Sequence, residues 1–201
     1  MKIVAGKNKG NKLKYLKDIS VRPTSHKVRE ALFDVIMPYI DGAVFLDLFA
    51  GVGAIGIEAL SRGAKRVIFI DNNIKCVKII KINLEITRNS QFGLVFKKEC
   101  LPGLKLLKKK KYLFDCIFMD PPYNKGLVNV ALFEISKLSI LKKDGIIIVQ
   151  HHKEESIDSN LDKIKLVKQK KYSESFLSFY KSAFFKVWYK KILKYIPLFR
   201  K

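Results

Sequence analysis

The residues with the most specific chemistry in this sequence form the run Phe118–Tyr123, which ends an apolar stretch. The Asp120 carboxylate and the Pro121 carbonyl can accept the two N–H hydrogens of an exocyclic amine on a nucleobase. This draws the amine toward a tetrahedral geometry and aligns its lone pair with a methyl donor, so that catalysis is mainly positioning and electrostatics. The prolines stiffen the turn, and an unpaired base can stack on Tyr123 with Pro122 beside it. We predict that Asp120, Pro121 and Tyr123 are catalytic and that Pro122 and Tyr123 contact the substrate.

A second motif lies earlier in the chain, where Leu46–Gly56 leads from a strand through a glycine-rich turn into a helix. Gly51 and Gly53 let the backbone approach a ligand closely, and Gly56 lets the helix pack tightly on the strand. The Gly-x-Gly-x-x-Gly pattern alone also fits a nicotinamide dinucleotide, or a tight turn without a ligand. Likewise, Asp120-Pro-Pro-Tyr123 alone also fits a rigid turn without chemistry. The pairing of the two motifs favours a functional site.

Acidic residues near the glycine motif favour S-adenosyl-L-methionine as the cofactor. Asp47 directly precedes the loop, where a carboxylate attracts the cationic amino group of this cofactor and repels a pyrophosphate. Asp71 ends the next strand, where an acid can bind both ribose hydroxyls. Glu99 is a candidate contact near the adenine amino group, with a solvated loop acid as the alternative, and Cys100 can line the adenine pocket. The predicted cofactor-binding residues are Asp47, Phe49, Ala50, Gly51, Gly53, Asp71, Asn72, Glu99 and Cys100.

Short apolar runs alternate with helical patterns along most of the chain, which predicts an α/β fold. We expect a Rossmann-like, mostly parallel seven-stranded sheet with helices on both faces and a C-terminal antiparallel hairpin. Ligands bind at the carboxyl ends of strands in such sheets, so both motifs should face one crevice. The predicted strands are Ala43–Leu48, Arg66–Asp71, Leu94–Lys97, Phe114–Asp120, Gly145–Gln150, Ile164–Lys170 and Phe176–Tyr180. The predicted helices are Ala54–Ser61, Ile74–Arg88, Leu101–Lys109 and Leu127–Leu141.

Two regions flank this predicted domain, which spans residues 41–180. Residues 1–40 form a basic extension with strand-like character, followed by a helix from about Ser25 to Tyr39 that Thr24 or Ser25 can cap. Residues 181–201 form a basic amphipathic tail with Phe184 and Trp188 on its apolar stripe. This tail can dock on its own domain, bind RNA or lie on a membrane surface, and docking is favoured among these alternatives.

The composition limits the classes of partner and compartment. A net charge of +22 favours polyanions through counterion release, although a solvated coat of lysines explains it equally well. No apolar run is long enough to predict a membrane span, and the lysine-rich start lacks the apolar stretch of a signal peptide, so we expect a cytoplasmic protein. The three widely spaced cysteines predict reduced thiols.

The histidines predict no metal site, because His26 stands apart from the adjacent pair His151 and His152. For that pair, a solvated strand end is favoured over a contact with the substrate.

Several segments in one order together resemble the RsmD family of bacterial 16S rRNA (guanine-N2) methyltransferases. The resemblance runs from about Ile3 to Tyr180. It implies a Rossmann-like class I methyltransferase fold, S-adenosyl-L-methionine as cofactor and methylation of one guanine N2 amine. It also implies a monomer whose partner is 16S rRNA in the small ribosomal subunit or its assembly intermediate. The segments are Arg22–Thr24, Val28–Phe33, Asp47–Gly51, Glu58–Ala64 and Asp120–Tyr123.

Carried over by position, the resemblance implies that Arg22, Thr24 and Arg29 help to form the RNA-facing side of the site. A salt-bridged helix start is the alternative role for Arg29 and Glu30. The sequence departs from the family pattern at Val52, where a small hydroxyl residue is usual, and at Gln150, where a glutamate is common.

Two other functions remain open. A DNA adenine-N6 or cytosine-N4 methyltransferase is disfavoured because the chain leaves no room for a sizeable target-recognition domain. A non-catalytic, basic RNA-binding assembly factor is disfavoured because both motifs are intact.

Overall fold

The computed structural model describes residues 1–15 and 26–183, without the side chains of residues 26 and 27. The predicted cap of the first helix and the predicted tail stripe from residue 184 onward lie outside the described residues. The helices are α1 (His26–Ile36, followed by a 3-10 turn at Met37–Tyr39), α2 (Ala54–Ser61), α3 (Ile74–Ile86), α4 (Cys100–Lys109) and α5 (Leu127–Leu138). The strands are β1 (Val44–Leu48), β2 (Arg66–Asp71), β3 (Gly93–Lys97), β4 (Phe114–Met119), β5 (Leu141–His152), β6 (Ile164–Tyr172) and β7 (Ser175–Ser182).

The strands of the described chain form one seven-stranded sheet in the order β3-β2-β1-β4-β5-β7-β6. Strands β1 to β5 are parallel, whereas β7 runs antiparallel to both β5 and β6. The expected α/β fold with a C-terminal hairpin is therefore confirmed. The chain moves outward from β1 through β2 to β3, and then returns to the other side of β1 with β4. This reversal opens a crevice at the carboxyl ends of β1 and β4.

Apolar side chains cover both faces of the sheet. The strands β1, β2 and β4 are buried along almost their whole length, as their unbroken apolar runs predict. Side chains of α1, α2 and α3 fill the core on one face, and those of α4 and α5 fill the core on the other face. This packing holds the ends of β1, β2 and β4 in fixed relative positions.

Helix α5 is shorter than the sequence pattern indicated, and strand β5 is longer. The helix was expected to run to Leu141, but Ser139 adopts the left-handed region at φ 52° and ends it. Leu141 then begins β5, which continues through His151 and His152 because it pairs with β7 up to its last residue. Both histidines therefore belong to the sheet and do not follow it.

Residues 1–14 form a tight N-terminal hairpin, with a bridge between Lys2 and Lys12. The hairpin docks on α2 through Glu58, whose buried carboxylate accepts hydrogen bonds from the backbone N–H groups of Val4 (2.8 Å) and Ala5 (2.9 Å). Its apolar residues join the core on the α1 side of the sheet. The basic extension is thus packed against the domain that carries the motifs.

Within the described residues, no helix combines the length and apolar character needed to cross a membrane. All three cysteines are free, with Cys76 and Cys116 buried and Cys100 half-buried. Burial raises the pKa of the Cys116 thiol well above its usual value, so this thiol stays protonated and packs as an apolar side chain.

Candidate active site

The two motifs leave the sheet side by side. Leu48, the last residue of β1, pairs with Met119, the last residue of β4, so the glycine loop (residues 49–53) and Asp120–Tyr123 begin at adjacent points. On the other side of β1, Leu48 pairs with Ile70. Asp71 therefore reaches the same edge of the sheet one residue later.

The glycine loop has a backbone that only a few residue types adopt easily. The φ angle is 66° at Phe49, 55° at Gly51 and 77° at Gly53. The two glycines tolerate this region without steric cost, whereas Phe49 is strained by about 1–3 kcal/mol. Backbone hydrogen bonds from Ala50 to the Ile70 carbonyl (3.0 Å) and from Gly53 to the Ala50 carbonyl (2.8 Å) hold the loop in place.

Asp47 lies beneath the loop and ties it to α2. Its side chain is 1% exposed, and Oδ2 accepts a hydrogen bond from the Gly56 N–H at 2.8 Å. A Cβ at Gly56 would overlap the Phe69 ring, so the glycine lets α2 approach the sheet as the motif predicted. Burial, the largest cause, and the nearby carboxylates of Asp71 and Asp120 together raise the pKa of Asp47 to about 8, against the Gly56 hydrogen bond, which lowers it. A cation beside these acids would relieve their mutual repulsion.

Asp71 binds the glycine loop from the end of β2. Its Oδ2 accepts from the Gly51 N–H and its Oδ1 from the Asn73 N–H, both at 2.8 Å. Burial raises the pKa of Asp71, although these two hydrogen bonds lower it. The carboxylate is half-buried at the end of β2 and remains open to a ligand.

Two cavities of about 370 and 380 Å³ meet at this edge of the sheet, each large enough for part of a small ligand. Phe49, Asp71, Asn72, Pro122 and Lys125 line both cavities. The first also contains Glu99 and Cys100, which lie at the start of α4. The second is completed by Gly51, Asp120, Pro121 and Tyr123. A ligand that extends from the first cavity into the second therefore passes Asp71 and reaches the Asp120 motif.

The Tyr123 side chain is held between two residues of β5. Its hydroxyl accepts a hydrogen bond from Gln150 Nε2 at 3.4 Å, and its ring centroid lies 5.7 Å from that of His152 at an angle of 45°. Gln150 is 6% exposed, and its Oε1 has no hydrogen-bond partner within the described chain. The sequence singled out Gln150 only as a departure from the family pattern, and its contact with Tyr123 was not expected.

The expectation of a solvated strand end is wrong for His151. This residue is 2% exposed, and its Nε2 lies 2.8 Å from the Ser178 hydroxyl on β7. Burial lowers the pKa of His151, which keeps the imidazole neutral at physiological pH. Because β5 extends further than predicted, His151 faces into the sheet, while its neighbour His152 faces Tyr123.

Of the predicted substrate residues, Pro122 and Tyr123 line the second cavity, whereas buried Arg29 does not. Arg22 and Thr24 lie outside the described residues, so their roles stay predictions. Arg29 is 2% exposed, and its Nη2 donates to the Lys2 carbonyl at 2.8 Å. Burial lowers the pKa of this guanidinium, while the nearby charge of Glu58 raises it. Arg29 therefore supports the N-terminal hairpin from inside the protein, and a contact with substrate stays a prediction.

Two residues near the loop carried no motif that would have identified them. Lys125 stands on the walls of both cavities, two positions after Tyr123. Asn83 on α3 donates to the Val52 carbonyl at 3.0 Å. The helical pattern of the sequence does not distinguish a buried asparagine that bonds a distant loop from any other polar residue. Among the described residues, no group of three or more His, Cys, Asp or Glu residues is arranged to hold a metal ion.

Comparisons with known proteins agree on one family. The family model described as conserved hypothetical protein 95 matches residues 1–181. The chain is 34% identical to the Bacillus subtilis protein YlbH, over 90% of this chain and 98% of YlbH. It is 35% identical to ribosomal RNA small subunit methyltransferase D of Haemophilus influenzae, over 78% of this chain and 81% of that protein. The solved structure of the Escherichia coli protein yhhF matches with a TM-score of 0.80 at 27% identity, covering 90% of this chain and 97% of that one.

Proposed function

The chain belongs to the RsmD/YlbH family, and from this premise we propose that it is an S-adenosylmethionine-dependent rRNA methyltransferase. We assign as its target the N2 amine of a guanine in 16S rRNA of the assembling small ribosomal subunit. The observation that carries the proposal is the second cavity, whose wall joins Gly51 and Asp71 to Asp120, Pro121 and Tyr123. One cavity thus contains elements of both motifs, so that a bound cofactor and an amine acceptor would meet in it.

The acids of the site fit a cationic cofactor. Asp47, Asp71 and Asp120 lie close enough together for their charges to raise the pKa of Asp47. The sulfonium and ammonium groups of S-adenosylmethionine would be attracted here, whereas a pyrophosphate would be repelled. When bound, this cofactor supplies an electrophilic methyl group. Asp71 would bind the ribose hydroxyls, and Glu99 with the start of α4 would enclose the adenine in the first cavity.

The residues of the Asp120 motif would hold the acceptor. The Asp120 carboxylate and the Pro121 carbonyl accept the amine hydrogens, which localises the nitrogen lone pair and directs it away from the base ring. Pro121 is buried and Pro122 exposed, and neither carries an N–H that would compete for these acceptors. Tyr123 supplies an aromatic face for the base, and its contacts with Gln150 and His152 fix the orientation of the ring.

The RNA part of the proposal rests on the similarity to ribosomal RNA small subunit methyltransferase D of Haemophilus influenzae and on the charge. A net charge of +22 suits a partner rich in phosphate. We further infer that the protein acts as a monomer, in the cytoplasm, on a small subunit that is still assembling.

The test is methyl transfer to small ribosomal subunits from cells that lack this protein. With labelled cofactor, mass mapping of the 16S rRNA should find one new N2-methylguanine. Asp120→Ala should lower the rate at least about 100-fold, because it removes a positioned acceptor, while the affinity for RNA persists. Methyladenine or methylcytosine in DNA would instead indicate a DNA methyltransferase. Equal inactivity of the folded wild-type and variant proteins would favour a non-catalytic assembly factor.

A further inference from the structure

Asn83 connects the N-terminal hairpin to the glycine loop. It lies on α3 and is 0% exposed. Its Oδ1 accepts a hydrogen bond from the Lys14 N–H at 2.8 Å, and its Nδ2 donates to two carbonyls, those of Lys14 and Val52, at 3.0 Å each. Both hydrogens and the oxygen of one buried amide are therefore used to join two segments that are distant in sequence.

The contact with Val52 acts inside the glycine loop. Val52 stands between Gly51 and Gly53, both at positive φ. The peptide group that joins Val52 to Gly53 is held on both sides, because its N–H donates to the Ala50 carbonyl at 2.8 Å and its carbonyl accepts from Asn83. Asn83 holds that carbonyl from a packed helix. It thereby helps to set the conformation of the loop that also bonds Asp71 through the Gly51 N–H.

The other end of the contact is a basic surface. The hairpin exposes lysines along its length, and exposed Tyr15 follows it directly. Lys14 is the last of these lysines before Tyr15. Its backbone N–H and its carbonyl both bond the Asn83 side chain. A polyanion held by the hairpin would therefore lie against a backbone segment that Asn83 joins to the loop. The exposed hairpin lysines are Lys2, Lys7, Lys9, Lys12 and Lys14.

We propose that Asn83 is a positioning residue that couples RNA bound at the N-terminal hairpin to the cofactor-binding conformation of the glycine loop. This inference rests on the proposed function. RNA bound to the hairpin lysines would stabilise the docked hairpin, so that Asn83 stays bonded to the Val52 carbonyl and the loop stays set for the cofactor. Because such coupling is reciprocal, bound cofactor raises the affinity for RNA by the same factor.

The experiment measures the affinity of the full chain for S-adenosylhomocysteine by calorimetry, with and without an RNA fragment of the small subunit. Wild-type protein should bind it at least about fivefold more tightly in the presence of RNA. Asn83→Ala should weaken binding without RNA roughly tenfold and bring the ratio close to one, because the loop and the hairpin are then unconnected. Asn83→Asp keeps the size of the side chain and the acceptor for the Lys14 N–H but loses both donors, and it should have the same effect.

The matched control is Asn89→Ala. Asn89 is also a 0% exposed asparagine, and its Nδ2 donates to Asn8 Oδ1 of the same hairpin at 3.0 Å. It lies beyond the C-terminal end of α3, away from the glycine loop. This variant should lose stability while keeping both the affinity for S-adenosylhomocysteine and the ratio measured with RNA.

Equal effects of Asn83→Ala and Asn89→Ala would overturn the proposal, as would a wild-type ratio of one. Hydrogen exchange of wild-type protein gives a second measurement that needs no variant. RNA alone should protect the amide of Gly53, and an unchanged exchange rate would also contradict the coupling. If the wild-type protein binds S-adenosylhomocysteine and RNA in a coupled manner but transfers no methyl group to rRNA, the proposed function fails and the coupling stands.

Discussion

Three carboxylates at one edge of the sheet define the chemistry at the scale of single residues. Asp47 is enclosed by protein, whereas Asp71 and Asp120 face a cavity. Their mutual repulsion and the burial of Asp47 leave that residue with a pKa of about 8, far above its ordinary 3.8. The charged form of Asp47 is thus unfavourable until a cation arrives. A cationic ligand would favour the ionisation of Asp47 by offsetting that repulsion.

We therefore expect the affinity for S-adenosylhomocysteine, whose amino group is cationic, to depend on pH. The ligand favours charged Asp47, so affinity should rise with pH and level off above about pH 8, where the free protein is already ionised. Asp47→Asn keeps an acceptor for the Gly56 N–H but removes the charge. This variant should bind S-adenosylhomocysteine more weakly than wild type. Calorimetric titrations at pH values from about 6 to about 9 should show a much smaller rise in its affinity.

The same pKa shift predicts the sign of a stability effect. A carboxyl group with a raised pKa in the folded state stabilises the fold most below its ordinary pKa, and this contribution is lost as pH rises toward about 8. As pH rises from about 4 to about 8, wild type should therefore lose stability relative to Asp47→Asn, as measured by the free energy of unfolding of each protein. A difference that is constant with pH would show that Asp47 is charged throughout.

At the scale of elements, the N-terminal hairpin and α2 are joined through a buried charge cluster. Glu58 on α2 accepts two backbone hydrogen bonds from the hairpin and one from Arg62 Nε at 2.9 Å. Its charge also acts on buried Arg29 of α1. One carboxylate thus links three elements on the same face of the sheet, so the hairpin that approaches the glycine loop is anchored from two helices.

Replacing Glu58 should be costly. Glu58→Leu leaves two backbone N–H groups and the Arg29 guanidinium without their acceptor or counter-charge, so we expect a loss of about 3–5 kcal/mol in the free energy of unfolding, measured by urea denaturation. Lys142→Ala is the control, because it removes a partly exposed ion pair with Asp115 at 2.8 Å and should cost less than about 1 kcal/mol. Similar losses in the two variants would contradict the anchoring role of Glu58.

At the scale of the whole molecule, the two cavities lie at one edge of the sheet and the basic N-terminal hairpin packs on one of its faces. The chain as a whole has a large excess of positive charge. The two cavities lie at the carboxyl ends of β1, β2 and β4, where the fold reverses direction. The net charge of +22 is not confined to this edge, because lysines are exposed on most elements. The charge is therefore suited to attracting RNA from any direction, while the motifs determine where chemistry takes place.

This distribution predicts different responses of the two ligands to salt. Phosphate contacts release counterions, so the affinity for small-subunit rRNA should fall by about 1,000-fold or more when salt rises from about 50 to 200 mM in a filter-binding assay. The affinity for S-adenosylhomocysteine, for which we propose few charge contacts and no phosphate, should change little over the same range. An RNA affinity that is insensitive to salt would argue against binding through the phosphate backbone.

The sequence by itself determined the order and type of the helices and strands from β1 onward and the position of the two motifs, although not every boundary. Ala54–Ser61 and Arg66–Asp71 have the predicted bounds, because glycine turns and apolar periodicity act locally. Parallel strand order then brought the glycine loop and Asp120 together as expected, since ligand sites in such sheets follow from topology. Local patterns therefore sufficed for the fold and for most of the wall of the second cavity.

Only the tertiary structure decided which polar side chains are buried and what they contact. His151 was expected in solvent, but it packs inside the sheet because β7 extends the pairing of β5. Arg29 lies beneath the N-terminal hairpin, and Asn83 reaches both that hairpin and the glycine loop. These contacts join residues far apart in sequence, and their energies depend on packing and on the exclusion of water. Neither residue type nor spacing encodes that environment.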